Sequence, residues 1–238
     1  MPHWISGDIE NDSGITNGLG VLDTLLVQNG VPQDLDLHFE RLKYDCEHVL
    51  RCACPDLRAR ITEAAAASTG TARLRVVVTG GDTGKPLAVP THPNVLIALK
   101  PVTIETSPLA CLIVPDYPRI AGCRLENAKR TDYARSFAAR QDALNAGFAE
   151  AILLDTAGNV ACGTTANLFI VEQGVRITPP LRCGVVAGIT RRKLLAAGAV
   201  EEMITPTRLL NADSVFLTNS VMGVRAVNRI NDVSFPEN

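Results

Sequence analysis

Apolar and polar residues alternate with a period of two through residues 71–79 (TARLRVVVT), the spacing of a half-buried strand. A second strand follows in residues 93–102 (PNVLIALKPV), after a Gly-rich turn. Upstream, residues 18–28 form a Gly-punctuated strand that runs into Asn29-Gly30, a hairpin signal. The spacing then changes. Leu37, Leu42, Cys46 and Val49 recur at helical intervals, which predicts a helix over residues 35–51. Pro55 is expected to open a second helix that stops near Gly70. WISG reads as an edge strand, followed by a polar turn. The first part is therefore an antiparallel layer with two helices on one side. Residues 104–110 (IETSPLA) read as a linker, giving domains 1–103 and 111–238.

The second domain opens on a strand, CLIVPDYPRI. Lys129 then begins an amphipathic segment in which Tyr133, Phe137, Ala138 and Leu144 share a helical spacing, with Gly147 as the stop. AILLD, a TAGN turn and a strand through Val160 come next. A small-residue loop, GTTAN, leads into LFIV. A helix is expected from Thr190 to Gly198, then a strand and a short helix. Two strands around the loop TNSVMG close the chain. The fold class is α+β.

Composition narrows the function classes. The 238 residues are 46% apolar and 20% charged, with a net charge of −2. A globular core is affordable at this size, and the charge gives no basic footprint for nucleic acid. No apolar run has the length of a membrane span, and the N-terminus has no hydrophobic secretory core. The seven cysteines are odd in number and scattered, unlike a disulfide framework. They read as small buried residues in a reducing, cytoplasmic compartment. The four histidines form no metal-ligand pattern.

Lys129 is one of five lysines and follows the irregular RLENA. Taken alone, it reads as a solvated lysine at a helix start. Arg41, in HFERL, and two hydroxyl-bearing loops, VAGIT (186–190) and TNSVMG (218–223), change that. Such loops turn backbone N–H groups toward a phosphate, above all where one opens a helix. One lysine, one arginine and two loops make a phosphate-plus-amine site.

These motifs, with EAILLD, T-x-A-N-L-F, T-P-P-L, G-I-T-R and L-T-N-S-x-M-G-V, resemble the class IV pyridoxal-phosphate enzymes. That family contains D-amino-acid and branched-chain aminotransferases and 4-amino-4-deoxychorismate lyase. The resemblance implies a two-domain fold of type IV, a pyridoxal 5′-phosphate cofactor and a homodimer. It implies that Lys129 carries the cofactor and moves the proton between substrate Cα and cofactor C4′. Arg41, Ile189, Thr190, Asn219 and Ser220 match the phosphate-binding positions. Tyr133 matches a tyrosine near the cofactor's phenolic oxygen, and Asn167 an asparagine that organises the cofactor loop. Thr24 is placed close to the substrate.

The sequence departs from the family at two points. Cys162 stands where members carry the glutamate that faces the pyridine nitrogen, and a thiol supplies no equivalent charge. Asp132 and Glu150 are the nearby acids that remain. Leu22 replaces the usual aromatic of the substrate pocket. Arg75 and Arg124 are candidates for a substrate carboxylate; Thr79 and Lys100 lie on strands of the same kind. Transamination between an amino acid and a 2-oxo acid is the first expectation. Release of pyruvate and 4-aminobenzoate by a lyase is the second. A cofactor-binding protein with weak or lost catalysis, because of Cys162, is the third.

Overall fold

The computed structural model describes residues 3–5, 10–85 and 87–236. The chain forms two units: Met1–Ile104 with Ala128–Asp132, and Glu105–Asn127 with Tyr133–Asn238.

The first unit contains β1 (His3–Ile5), β2 (Gly20–Gln28), β3 (Val31–Pro32), β4 (Thr71–Thr79) and β5 (Asn94–Pro101). They pair antiparallel in the order β1-β5-β4-β2-β3. Asn29 and Gly30 both take positive φ (48° and 81°), as the tight hairpin requires. A short α1 (Ser13–Thr16) occupies the polar stretch expected as a turn. α2 (Leu35–Asp45) runs on into a π-helical turn at Cys46–Leu50, and α3 is Arg58–Ala66. The start of α3 at Arg58 corrects the expected opening at Pro55.

Alternation decides which face of this sheet is covered. Val21, Leu25, Leu74, Val76, Val95 and Ile97 are buried in one cluster with Phe39, Leu42 and Ile61 of the helices. Burying each such side chain contributes on the order of 1.5–3 kcal/mol. The other face carries Leu22, Thr24, Arg73, Arg75 and Lys100, the intervening residues in the register. Thr79 is held by Asp12, its hydroxyl donating at 2.6 Å.

In the second unit the strands are β6 (Leu109–Arg119), β7 (Glu150–Asp155), β8 (Val160–Gly163), β9 (Asn167–Glu172), β10 (Val175–Thr178), β11 (Val200–Glu201), β12 (Ser214–Asn219), β13 (Gly223–Ile230) and β14 (Val233–Ser234). Its helices are α4 (Ala134–Asn145), α5 (Ile189–Ala196) and α6 (Pro206–Leu210). Pairing runs β9-β12-β13-β6-β7-β8, and β8 pairs back to β9. Six strands thus close a ring, and its last link is one pair, Cys162 opposite Asn167. Stacked Phe169 and Phe216, with centroids 5.1 Å apart, fasten β9 to β12.

Three expectations need correction here. The supposed linker 104–110 already enters strand at Leu109. Residues 128–132, expected in the C-terminal domain, group with the first unit, because they pair with β2. Lys129 does not open a helix, since α4 starts at Ala134. That helix buries Ser136, Ala139 and Ala143, while Phe137 and Leu144 are exposed. Small residues let α4 sit close against its sheet, so size rather than hydropathy selects the buried stripe.

Candidate active site

The segment around Lys129 lies along β2 as a short extended piece. Leu22 N–H donates to the Lys129 carbonyl at 2.8 Å, and Thr131 N–H donates to the Gly20 carbonyl at 3.0 Å. Val21 and Arg130 form the bridge between these bonds. Lys129 therefore stands across from Leu22. Its own N–H donates to Asp45 Oδ2 at 3.0 Å. The lysine backbone is pinned on both sides, which fixes the root of a long, flexible side chain.

Asp45 belongs to a buried charge cluster that sequence reading missed. Asp23 lies in β2 on the covered face, 1% exposed. Arg41 of α2 donates to it twice, from Nε at 3.0 Å and from a terminal nitrogen at 2.7 Å. His38, one turn earlier, meets Asp23 Oδ1 through Nδ1 at 2.7 Å. A lone carboxylate in a dry sheet face is costly unless paired, and here two partners from one helix answer it. Burial acts to raise the Asp23 carboxyl, but Arg41 and His38 outweigh it and hold it well below the usual range. Burial pushes Asp45 up to about 6, against the pull of the Lys129 N–H and Arg41. The available signal was a charged residue inside an apolar run, VLDTLLV. Arg41 uses Nε and a terminal nitrogen on Asp23, and this two-point pairing orients the guanidinium.

In the second unit, Cys162 and Asn167 face one another across the closing pair. Asn167 Nδ2 donates to the Val186 carbonyl at 2.9 Å. A Cβ on Gly188 would overlap Asn167 Oδ1, so only glycine permits this approach. Gly188 precedes α5, whose start has no side-chain cap. Ile189 and Thr190 are its first two residues. Thr218, opposite Asn167 in the ladder, has a buried hydroxyl with no hydrogen-bond partner. Asn219 Oδ1 accepts from Val221 N–H and Met222 N–H at 3.0 and 2.7 Å, turning the chain at Ser220. Gly188 and Thr218 lie in the two loops singled out from the sequence, but their individual contacts with Asn167 depend on distant segments meeting.

Cys162 is buried, and that burial raises its thiol to about 11, only partly offset by Arg119. It is neutral near physiological pH. The two acids considered as substitutes are engaged elsewhere. Glu150 accepts from Thr164 Oγ1 at 2.6 Å and from Arg140 at 3.0 Å. Asp132 pairs with Arg130 at 3.2 Å. Glu126, near Cys162 in chain fold, is buried between Arg119 and Arg135 at 2.7 and 2.8 Å.

The remaining candidates distribute as follows. Leu22, Thr24 and Arg75 share the open face of the first sheet, with Thr24 opposite Arg75. Arg124 is exposed on a short 3-10 turn in the second unit. Tyr133 precedes α4, its carbonyl accepting from Phe137 N–H. Among the described residues no group of His, Cys, Asp and Glu has a metal-holding arrangement, and no helix is long and apolar enough to cross a membrane.

The chain is similar to a putative branched-chain-amino-acid aminotransferase of Methanocaldococcus jannaschii, 31% identical over 226 residues, covering 88% of this chain and 77% of that protein. It is similar to an aminodeoxychorismate lyase of Bacillus subtilis at 27% identity, covering 94% and 82%. The structure of a putative 4-amino-4-deoxychorismate lyase from Legionella pneumophila superposes with a TM-score of 0.90 at 25% identity, covering 100% of this chain and 91% of that one. Residues 20–230 match the family model for class IV amino-transferases, and the chain belongs to that family of enzymes.

Proposed function

We propose that the protein is a pyridoxal-phosphate-dependent aminotransferase that moves an amino group between an amino acid and a 2-oxo acid. The observation that carries this reading is the pinned backbone of Lys129, held by Leu22 on one side and Asp45 on the other.

The residues present fit the cofactor that this family uses. The uncapped start of α5, brought against Asn167 by Gly188, presents N–H groups and the positive end of a helix to a phosphate. The buried, unpartnered Thr218 hydroxyl marks a polar surface next to it. Ile189, Thr190, Asn219, Ser220 and Arg41 would hold the phosphate, and Asn167 would keep the α5 loop in place. When bound, pyridoxal phosphate supplies an electron-withdrawing ring conjugated to the amine-bearing carbon of the substrate. Lys129 would hold the cofactor, and its amine would serve as the base and acid for the substrate Cα proton. Tyr133 would serve as a hydrogen-bonding partner for the cofactor. Thr24 and Leu22 would border the substrate, and Arg75 or Arg124 would receive its carboxylate. A homodimer and a cytoplasmic location are part of the same proposal.

A neutral Cys162 would supply no anionic partner to the cofactor ring, and the ring would then withdraw electrons more weakly. The second reading, a 4-amino-4-deoxychorismate lyase, is supported by the long matches to proteins of that name.

The test is reductive trapping. Protein soaked in pyridoxal phosphate and treated with borohydride should carry a pyridoxyl mass on the Lys129 peptide. The Lys129→Ala variant should carry none, and its amino-transfer rate should fall by at least about a thousandfold. A panel of amino acids with 2-oxo acids then separates transfer from pyruvate release. Unlabelled wild-type protein would sink the cofactor reading altogether.

A further inference from the structure

The first unit gathers three cysteines at one place. α2 runs into the π-helical turn Cys46–Leu50, and Arg51 takes a positive φ of 60° to reverse the chain. The Arg51 N–H donates to the Cys46 carbonyl, and so does the Cys52 N–H, at 3.4 Å. A non-glycine residue in the left-handed region is uncommon. Here it folds Cys52-Ala53-Cys54 back over the turn that contains Cys46. Cys46 is fully buried in the core of the unit, and Cys52 and Cys54 pack half-buried against that core. The other four cysteines belong to the second unit.

The three thiols are not equivalent. Cys46 donates its hydrogen to the Cys54 sulfur. That bond lowers the Cys54 thiol below its ordinary value, against the effect of burial. The same bond, and then burial, push Cys46 far up. Burial and the neighbouring Cys54 raise Cys52. As a thiol, Cys54 donates to the Pro55 carbonyl at 3.4 Å, a long contact that ionisation gives up. An accessible, lowered thiol touching a buried, protonated one has the division of labour of an attacking and a resolving cysteine. A core cysteine behaves otherwise, and burial pushes the Cys111 thiol up to about 12. The trio is no metal site, since among the described residues no such group has a metal-holding arrangement.

We propose that Cys54 and Cys46 form a reversible disulfide when the protein meets a peroxide. Cys54 Sγ, as the thiolate, attacks one peroxide oxygen. The O–O bond breaks, Cys54 becomes a sulfenic acid, and the departing hydroxide takes up the proton that Cys54 released. Cys46 Sγ then attacks the Cys54 sulfur. The S–O bond breaks, and the hydroxyl leaves as water with the Cys46 proton. Both thiols are oxidised and the peroxide is reduced to water. A thiol reductant reverses the bond by exchange. The link ties down the π-helical turn, and Asp45, the residue before Cys46, accepts the Lys129 N–H. Oxidation thus stiffens the anchor of Lys129. The proposal stands apart from the cofactor reading.

Peptide mapping of the full chain after treatment with hydrogen peroxide tests it. Arg51 separates the two partners, so trypsin leaves Cys46 in residues 44–51 and both Cys52 and Cys54 in residues 52–58. Peroxide should join these two peptides with loss of one hydrogen from each thiol, and dithiothreitol should part them. Cys52→Ser should keep the link and Cys54→Ser should abolish it. Both positions are half-buried, so these variants carry the test even where the buried Cys46→Ser does not fold. Where it folds, Cys46→Ser should stall at a sulfenic acid on Cys54 that dimedone labels. In the linked wild type, amide exchange at Lys129 should be at least about threefold slower than in the reduced protein. A bond confined to residues 52–58, or a link that survives in Cys54→Ser, overturns the proposal. So does peroxide that leaves both thiols free or carries Cys54 to the sulfinic acid without a link. Unchanged exchange at Lys129 overturns the coupling to its anchor.

Discussion

The two faces of the first sheet treat charge in opposite ways. On the covered face, Asp23 is surrounded by Arg41 and His38, and every contact is within 3.0 Å. On the open face, Arg73 and Lys100 oppose each other with no acid in their rows. Both arrangements cost stability when formed alone. The first recovers that cost inside the protein, because a buried charge without a partner is not sustainable. The second does not, because solvent screens exposed cations and a repulsion of this kind is weak. A paired cluster positions backbone and side chains; an exposed pair leaves its charge to solvent.

Several measurements would break or sharpen this contrast. Removing the centre of the paired cluster has the largest effect. Asp23→Ala leaves Arg41 and His38 facing an uncompensated buried site, and should cost about 3–5 kcal/mol in denaturant unfolding. A loss under about 1 kcal/mol would mean that the cluster is not the organiser described here. Next comes Asp45. A carboxyl raised to about 6 binds its proton more tightly folded than unfolded. Its contribution is therefore complete below about pH 4 and is lost as the pH rises through about 6, on the order of 3 kcal/mol. Asp45→Asn keeps an acceptor for the Lys129 N–H and should remove that slope from melting temperatures taken across the range. An unchanged slope assigns the titration to another group.

Cys162 extends the contrast to the second unit, where a charge has been given up. Cys162→Glu should raise kcat about tenfold, equivalent to roughly 1.4 kcal/mol in the barrier, whereas Cys162→Ala should leave it within about threefold. Equal rates in all three proteins would show that the ring nitrogen draws nothing from this position. The smallest change is on the open face. Lys100→Glu converts a like-charged cross-strand pair into an opposite one, and should stabilise the sheet by about 0.2–1 kcal/mol in denaturant unfolding. A destabilised Lys100→Glu would deny the repulsion.

Much of the architecture was legible because period-two alternation survives in β4 and β5, and because Asn29-Gly30 has one economical use. The motifs of α5 and the two loops were legible for a similar reason, since they are local. The buried stripe of α4 was not. Phe137 and Leu144 follow helical spacing, yet close packing against the sheet reserves the inner positions for Ser136, Ala139 and Ala143. The return of residues 128–132 to the first unit was equally hidden, because it depends on one bridge to β2 across more than a hundred residues. The Asp23 cluster and the Arg73–Lys100 opposition share that difficulty. Each requires a register or a helix docking that no short window contains.

The ring of the second unit is completed by one residue pair, Cys162 with Asn167, beside a loop whose Gly163 N–H donates to the Ala166 carbonyl at 2.9 Å. A closed sheet with a one-pair seam has a preferred place to breathe. Amide hydrogen exchange should be fastest there among the ring's contacts, and slower once a ligand bridges α5 and the seam. The seam therefore serves as an occupancy gauge, readable on the backbone without following any reaction.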